Sequence, residues 1–172
     1  EIIKQHPDMK VLSPESVNCM RIVSISSNKK PVTADGKMKD IAYVSLKIGR
    51  NGNIVDNVIA GGMVANVDLE TGCVATHGVN HDLHVLENHP DTGTQIKGFK
   101  IPYFKEALEL VYTVIDEMGL CGTIGWDMAI GENGPEIVEP NFGPASSLLQ
   151  DPYFPEKKGM KHIMTKYLWD EE

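Results

Sequence analysis

The sequence predicts an α+β protein built on a mainly antiparallel sheet with flanking helices. Three observations lead to this prediction. Short segments rich in β-branched residues, separated by turn residues, fill the first half of the chain. One long amphipathic helix pattern follows, and a further hairpin comes after it. The chain also lacks the regular strand–helix alternation of a doubly wound parallel sheet.

The strands of the first half are predicted from local composition and turn signals. The Asn-Gly pair at 51–52 is the strongest hairpin signal of the chain and connects two of them. The predicted strands are residues 17–26, 41–48, 53–59, 63–68 and 73–76. Residues 77–100 are expected to form a long polar loop without regular structure.

Residues 102–118 give the clearest helix pattern, because apolar side chains recur at intervals of three and four. Pro102 suits the first turn, and Gly119 is typical of a residue that ends a helix. Residues 157–169 are predicted as a closing helix.

A hairpin is predicted over residues 122–144, with Glu132-Asn133-Gly134 as a three-residue loop. Strand alternation turns Ile124, Trp126, Met128 and Ile130 towards the core. Asp127 then lies on the opposite face among small residues, where a bulky group can approach. The chain order of these elements places the hairpin next to the helix.

The loop length fixes which side chains face each other. Pairing Gly131 with Pro135 puts Asp127 directly opposite Glu139, and Asn141 shares the face of Glu139. Two carboxylates and an amide oxygen are ligands that Mg²⁺ prefers. The alternative is an ordinary surface hairpin with solvated acids.

Further candidates lie on the preceding strands and turns. Arg21 within a strand forms an ion pair or reaches a phosphate. Lys47 and Asn57 flank the Asn-Gly turn, and the simpler interpretation is that both are solvated. Gly61 and Gly62 form a ligand-facing loop or a plain turn.

Composition narrows the function classes. The 172 residues suit one domain, and the net charge of −8 without a long basic run argues against a nucleic-acid surface. Cys19, Cys73 and Cys121 follow no metal-ligand spacing and suggest a reduced, cytoplasmic protein. No apolar run approaches membrane-spanning length.

Clustered histidines offer a weaker alternative, a His-based metallohydrolase. The cluster has no accompanying HExxH or CxxC motif, which weakens a zinc interpretation. Its members are His77, His81, His84 and His89.

Taken in order, these residues resemble the ATP-grasp superfamily, and in particular its sugar-transfer-associated branch. The resemblance extends over nearly the whole chain. Its motifs are VDLETG at 67–72, HPDTG at 89–93, IPYF at 101–104, IGWDMAI at 124–130 and GPEIVEPN at 134–141.

The resemblance implies an ATP- and Mg²⁺-dependent ligase that activates a carboxylate as an acyl phosphate, which an amine or another nucleophile then attacks. The expected partners are ATP and a small carboxylate or sugar-linked acceptor, with cell-surface polysaccharide biosynthesis as the setting. A non-catalytic nucleotide-binding or interaction module is the alternative.

The resemblance also assigns roles to individual residues. Asp127, Glu139 and Asn141 would be the metal ligands. Arg21 and Lys47 would act on the transferring phosphate. Glu1, at the end of a hinge, would hold adenine and ribose with Asn57, Gly61 and Gly62 facing the same site.

The family's nucleotide site also uses a lysine-bearing lid from an earlier half of the fold. Residues 1–172 are therefore expected to be a single domain, the C-terminal part of an ATP-grasp fold, inactive alone and prone to self-association. Residues 77–100 are expected to help form the acceptor or carboxylate pocket.

Overall fold

A seven-stranded antiparallel sheet forms the centre of the computed structural model, which describes residues 3–50, 52, 58 and 61–167. The strands are β1 Met20–Ser26, β2 Lys39–Ile48, β3 Met63–Val67, β4 Gly78–Asn80, β5 Val85–Leu86, β6 Gly122–Gly131 and β7 Gly134–Phe142. Their order across the sheet is β5-β4-β3-β2-β1-β6-β7. The α+β prediction is confirmed.

Four short or medium α-helices are described around the sheet. They are α1 Pro7–Lys10, α2 Phe104–Met118, α3 Ser147–Gln150 and α4 Lys161–Met164, with a 3₁₀ helix at Asp151–Glu156. None of the helices in the described part of the chain is both long and apolar enough to cross a membrane.

One face of the sheet packs on α2. The buried stripe of this helix, Ala107, Val111 and Ile115, contacts the main hydrophobic core together with Phe104. Trp126 of β6 lies in the same core and donates a hydrogen bond from Nε1 to Ser24 Oγ at 2.8 Å, so its polar atom is satisfied.

The opposite face is partly covered by residues 146–167, called here the C-terminal segment. Leu149 and Tyr167 of this segment pack with Val23 and Tyr43 in a second apolar cluster. The Tyr167 hydroxyl lies 3.1 Å from Asp40 Oδ2, which ties the segment to β2. The remaining part of this face carries polar side chains.

Several predicted boundaries are wrong for local backbone reasons. Helix α2 begins at Phe104 rather than at residue 102, because Tyr103 is left-handed with φ 52°. The closing helix is only the four residues of α4. Lys157, which is left-handed, and Gly159 separate it from the preceding 3₁₀ helix.

Two loop predictions also need correction. Residues 77–100 contain β4 and β5, so this segment extends the sheet rather than forming a structureless loop. Residues 73–76 are not a strand, although Val74 forms an isolated bridge to Val67. The strand predicted at 53–59 lies outside the described residues apart from residue 58.

The hairpin of β6 and β7 has the predicted pairing of Asp127 with Glu139, but its loop is shorter than predicted. Gly131 pairs with Gly134, so the loop has two residues instead of three. A β-bulge between Asp127 and Met128, with Val138 as the extra residue of β7, then adds back the missing position. Asp127 consequently lies opposite Glu139, as predicted.

Candidate active site

A buried carboxylate held by two cations is the centre of the polar face. Arg21 of β1 pairs with Asp127 of β6 on one side and with Ser45 of β2 on the other. Arg21 Nε donates to Asp127 Oδ1 at 2.5 Å, and Lys47 Nζ donates to Oδ2 at 3.1 Å. Two positive groups therefore share one negative group.

All three side chains are largely withdrawn from water. The exposed fractions are 11% for Arg21, 12% for Lys47 and 9% for Asp127. The simpler interpretation, that Lys47 is a solvated lysine, is therefore wrong. Charges at this depth interact more strongly than surface pairs, because less water screens them.

Gly125 gives Arg21 room to reach Asp127. A Cβ added at Gly125 would lie 2.9 Å from Arg21 Cδ and 2.7 Å from Pro144 Cβ. The small-residue face beside Asp127 is thus filled here by the arginine stem and by Pro144. It is not open to a bulky group at this point, contrary to the sequence-based expectation.

Glu139 completes the carboxylate pair from the edge strand β7. Its partner in the ladder is Asp127, so the two side chains share a face. Asn141 pairs with Gly125 and donates from Nδ2 to Glu139 Oε1 at 3.3 Å. Within the described residues, no cation forms an ion pair with Glu139, which is exposed.

The oxygen donors on this face are of the types that Mg²⁺ prefers, and both Asp127 oxygens are occupied by Arg21 and Lys47. Mg²⁺ is usually held by one or two carboxylates together with substrate phosphates and water. Asp127 and Glu139 supply two carboxylates on one face, and Asn141 orients the second. The described residues contain no cluster of three or more His, Cys, Asp or Glu side chains that would form a metal cage.

Comparison with known protein families identifies the family of the chain. A family model described as sugar-transfer associated ATP-grasp matches residues 1–165. The chain belongs to this ATP-grasp family. Comparisons with curated proteins and with solved structures found no match.

The candidate nucleotide-binding residues of this ATP-grasp chain are described only in part. Gly61 has φ 96°, a conformation that favours glycine, and Gly62 is buried directly before β3. Because Met63 pairs with Ile48, both glycines lie near the Lys47 end of the sheet. Glu1 and Asn57 lie outside the described residues.

The histidines of the ATP-grasp chain do not form a metal site in the described residues. His89, in the HPDTG motif, is buried and accepts from Asp91 N at Nδ1, so its Nε2 carries the proton and donates to Gly49 O at 2.8 Å. Asn18 Oδ1 accepts from Gly49 N at 3.1 Å. His89 therefore fixes the chain just beyond β2, and the metallohydrolase alternative has no support.

The VDLETG motif also holds a turn in place. Asp68 Oδ1 accepts hydrogen bonds from Thr71 N and Thr71 Oγ1, both at 2.7 Å, and these bonds lower the pKa of Asp68. Gly72 has φ 67°, and an added Cβ would lie 2.7 Å from Phe104 of the IPYF motif. The two motifs therefore pack against each other.

Sequence reasoning missed three residues on the polar face. Ser45 Oγ lies 2.7 Å from both Asn66 Oδ1 and Leu148 O, and Asn66 Nδ2 donates to Leu149 O at 2.9 Å. Tyr43 lies beyond Ser45 on the same strand. Strand alternation from Lys47 would have placed Ser45 and Tyr43 on this face, but it could not reveal the C-terminal segment above them.

Proposed function

We propose that this ATP-grasp chain provides the metal- and phosphate-binding face of an ATP- and Mg²⁺-dependent ligase. The ligase would phosphorylate a carboxylate, and an amine or another nucleophile would displace the phosphate during cell-surface polysaccharide assembly. The observation that carries the proposal is the convergence of Arg21 and Lys47 on Asp127, opposite Glu139 on the same face.

Each residue of the site has a distinct task in this proposal. Asp127, Glu139 and Asn141 would hold Mg²⁺. The Asn141 amide nitrogen donates to Glu139, which leaves the Asn141 oxygen for the metal. Arg21 uses Nε for Asp127. Its outer nitrogens make no hydrogen bond within the described residues, so they remain to donate to phosphate oxygens.

Such a site needs no nucleophile from the protein. Phosphoryl transfer depends mainly on positioning and on neutralising the charge of the phosphates. When bound, Mg²⁺ would supply part of that neutralisation. Arg21 and Lys47 supply the rest from fixed positions, since Asp127 already orients both side chains before a ligand arrives.

We also propose that another half of an ATP-grasp fold closes the nucleotide site over β7. Exposure at this edge supports the idea, because Glu139 faces solvent and Phe142 is 70% exposed. A cytoplasmic setting agrees with the three free cysteines of the described chain.

The test is calorimetric titration of the full-length protein with a non-hydrolysable ATP analogue, with and without Mg²⁺. Glu139→Gln is expected to remove most of the Mg²⁺-dependent gain in affinity. Glu132→Gln, an exposed acid in the loop of the same hairpin, is the matched control and should retain it. An unchanged gain in Glu139→Gln would refute the metal role.

One observation favours a second candidate, a non-catalytic nucleotide-binding module. Asp127 is paired at both oxygens, so neither oxygen can bind Mg²⁺ unless its ion pair with Arg21 or Lys47 opens. Release of ADP that requires Mg²⁺ and is lost in Glu139→Gln supports the ligase. Nucleotide binding without any ADP release favours the module.

A further inference from the structure

A cavity of about 380 Å³ lies beside the candidate active site, on the same face of the sheet. Strands β2 and β3 form its floor, and the C-terminal segment forms its roof. Its polar lining includes Tyr43, Asn66, Tyr153, His162 and Lys166. None of the residues assigned above to metal or phosphate lines this cavity.

Tyr43 is the residue of the lining whose polar group is most available to a ligand. It is 6% exposed, and its hydroxyl has no hydrogen-bond partner in the part of the chain that the structure describes. Burial raises the pKa of Tyr43 to about 12. The hydroxyl therefore stays protonated at neutral pH, so it can both donate a hydrogen bond to a ligand and accept one from it.

The lining suits a small molecule with several hydroxyl groups. Aliphatic side chains and the Tyr153 ring offer an apolar surface, while Asn66 and the phenols offer neutral hydrogen-bonding groups. Charges of both signs lie at the cavity, Asp68 and Glu70 against Lys166, which disfavours a strongly charged ligand. The volume is within the usual range for ligand pockets and holds a molecule the size of one sugar.

The cavity is close to the phosphate-binding cations. Tyr43 is two residues from Ser45, and Ser45 pairs with Arg21 across the sheet. The charge of Arg21 reaches Tyr43, since it acts to lower the pKa of that phenol against the effect of burial. A ligand bound to Tyr43 would therefore lie next to the group that faces the phosphates.

We propose that this cavity binds a sugar unit of the acceptor through the Tyr43 hydroxyl. The acceptor role rests on the proposed ligase function, because the cavity then places the acceptor beside Arg21. Binding of the sugar itself does not depend on ATP, so the two ideas can be tested separately.

The experiment uses saturation-transfer NMR on the full chain without nucleotide. The probes are D-glucose, N-acetyl-D-glucosamine and D-glucuronate. At least one probe is expected to bind, and Tyr43→Phe is expected to weaken it about tenfold, since one hydroxyl is removed and the ring is kept. Tyr112→Phe, a half-buried phenol outside the cavity, is the control and should bind as the wild type does.

Folding of the variant is checked independently. Because no hydrogen bond acts on the Tyr43 phenol within the described residues, Tyr43→Phe should unfold at the same temperature as the wild type or higher. Binding of none of the three probes to the wild type, or equal binding to Tyr43→Phe, overturns the proposal. If the sugar binds both the wild type and Glu139→Gln but the wild type binds no nucleotide, the result counts against the ligase function alone.

Discussion

The two carboxylates of the site differ in what surrounds them. Asp127 is buried and holds two cations, whereas Glu139 is exposed and hydrogen-bonded only to Asn141 among the described residues. Asp127 therefore contributes to the fold as well as to the site. Glu139 can be removed at little structural cost, which makes it the better probe of function.

Replacement of Asp127 by Asn should strongly destabilise the protein. The change leaves Arg21 and Lys47 buried without a negative partner, which typically costs about 3–5 kcal/mol. Urea unfolding measures the loss. Glu139→Gln is the comparison and should change the free energy of unfolding by less than about 0.5 kcal/mol. Equal losses in the two variants would contradict this division of roles.

Gly125→Ala should disturb the position of Arg21. The new Cβ would lie 2.7 Å from Pro144 and 2.9 Å from the arginine stem, so one of them must move. Overpacking of this kind costs about 1–3 kcal/mol. Thermal unfolding and nucleotide titration should both show the effect. Gly159→Ala, with open space around its added Cβ, should show neither.

At the scale of elements, the C-terminal segment is held to the sheet at both ends. Leu148 and Leu149 accept from Ser45 and Asn66, and Tyr167 reaches Asp40 and the carbonyl of Ile41. Lys166 Nζ also lies 3.2 Å from Asp40 Oδ2. The roof of the cavity is therefore held by these polar contacts together with the second apolar cluster.

Tyr167→Phe should make stability less sensitive to high pH. Burial, and next the charge of Asp40, raise the pKa of Tyr167 above its usual 10.0. Its contribution is complete below pH 10 and falls as the pH rises, because the unfolded chain then loses a proton that the folded chain retains. One such proton gives a slope of about 1.4 kcal/mol per pH unit.

Urea unfolding between about pH 9 and pH 11.5 tests this difference, since the window spans the ordinary tyrosine pKa. The slope above pH 10 should be shallower in Tyr167→Phe than in the wild type. The exposed Tyr103 provides the matched control, and Tyr103→Phe should keep the wild-type slope. An identical slope in all three proteins would show that Tyr167 does not carry the effect.

The elements also differ in how far the sequence could predict them. Helix α2 is recognisable in the sequence because its apolar spacing indicates a helix and Gly119 marks where that helix ends. The short α4 is not, since the interruption at Lys157 depends on backbone conformation rather than on composition. The register of Asp127 with Glu139 was predicted through a three-residue loop, whereas a shorter loop and a bulge produce it.

At the scale of the molecule, the family motifs divide into two groups. VDLETG, HPDTG and IPYF contribute contacts that hold loops in place. IGWDMAI and GPEIVEPN carry the residues of the candidate active site. Motif resemblance could point to these site residues. It could not reveal the cavity, because residues 67–70 of VDLETG form only part of its wall and the rest comes from segments more than 100 positions apart, such as Ala42 and Leu149.

Salt should modestly accelerate nucleotide binding. The protein carries a net charge of −8 and repels a nucleotide anion at long range, whereas the buried cations attract it only at contact. Raising the ionic strength to about 0.1 M shortens the Debye length to about 10 Å, which screens the long-range repulsion first. Stopped-flow measurements with saturating Mg²⁺ should give a rising association rate constant. A steep fall would show that local attraction dominates.

The bulge at Val138 also affects how another chain can meet this sheet. Strand β7 is an edge, and a regular edge is a template onto which a further strand can be added. The extra residue breaks the ladder next to Glu139, so an added strand could not stay in phase along the whole of β7. A partner that covers this edge is therefore expected to bind through the exposed side chains of Val138 and Phe142 rather than by β-augmentation.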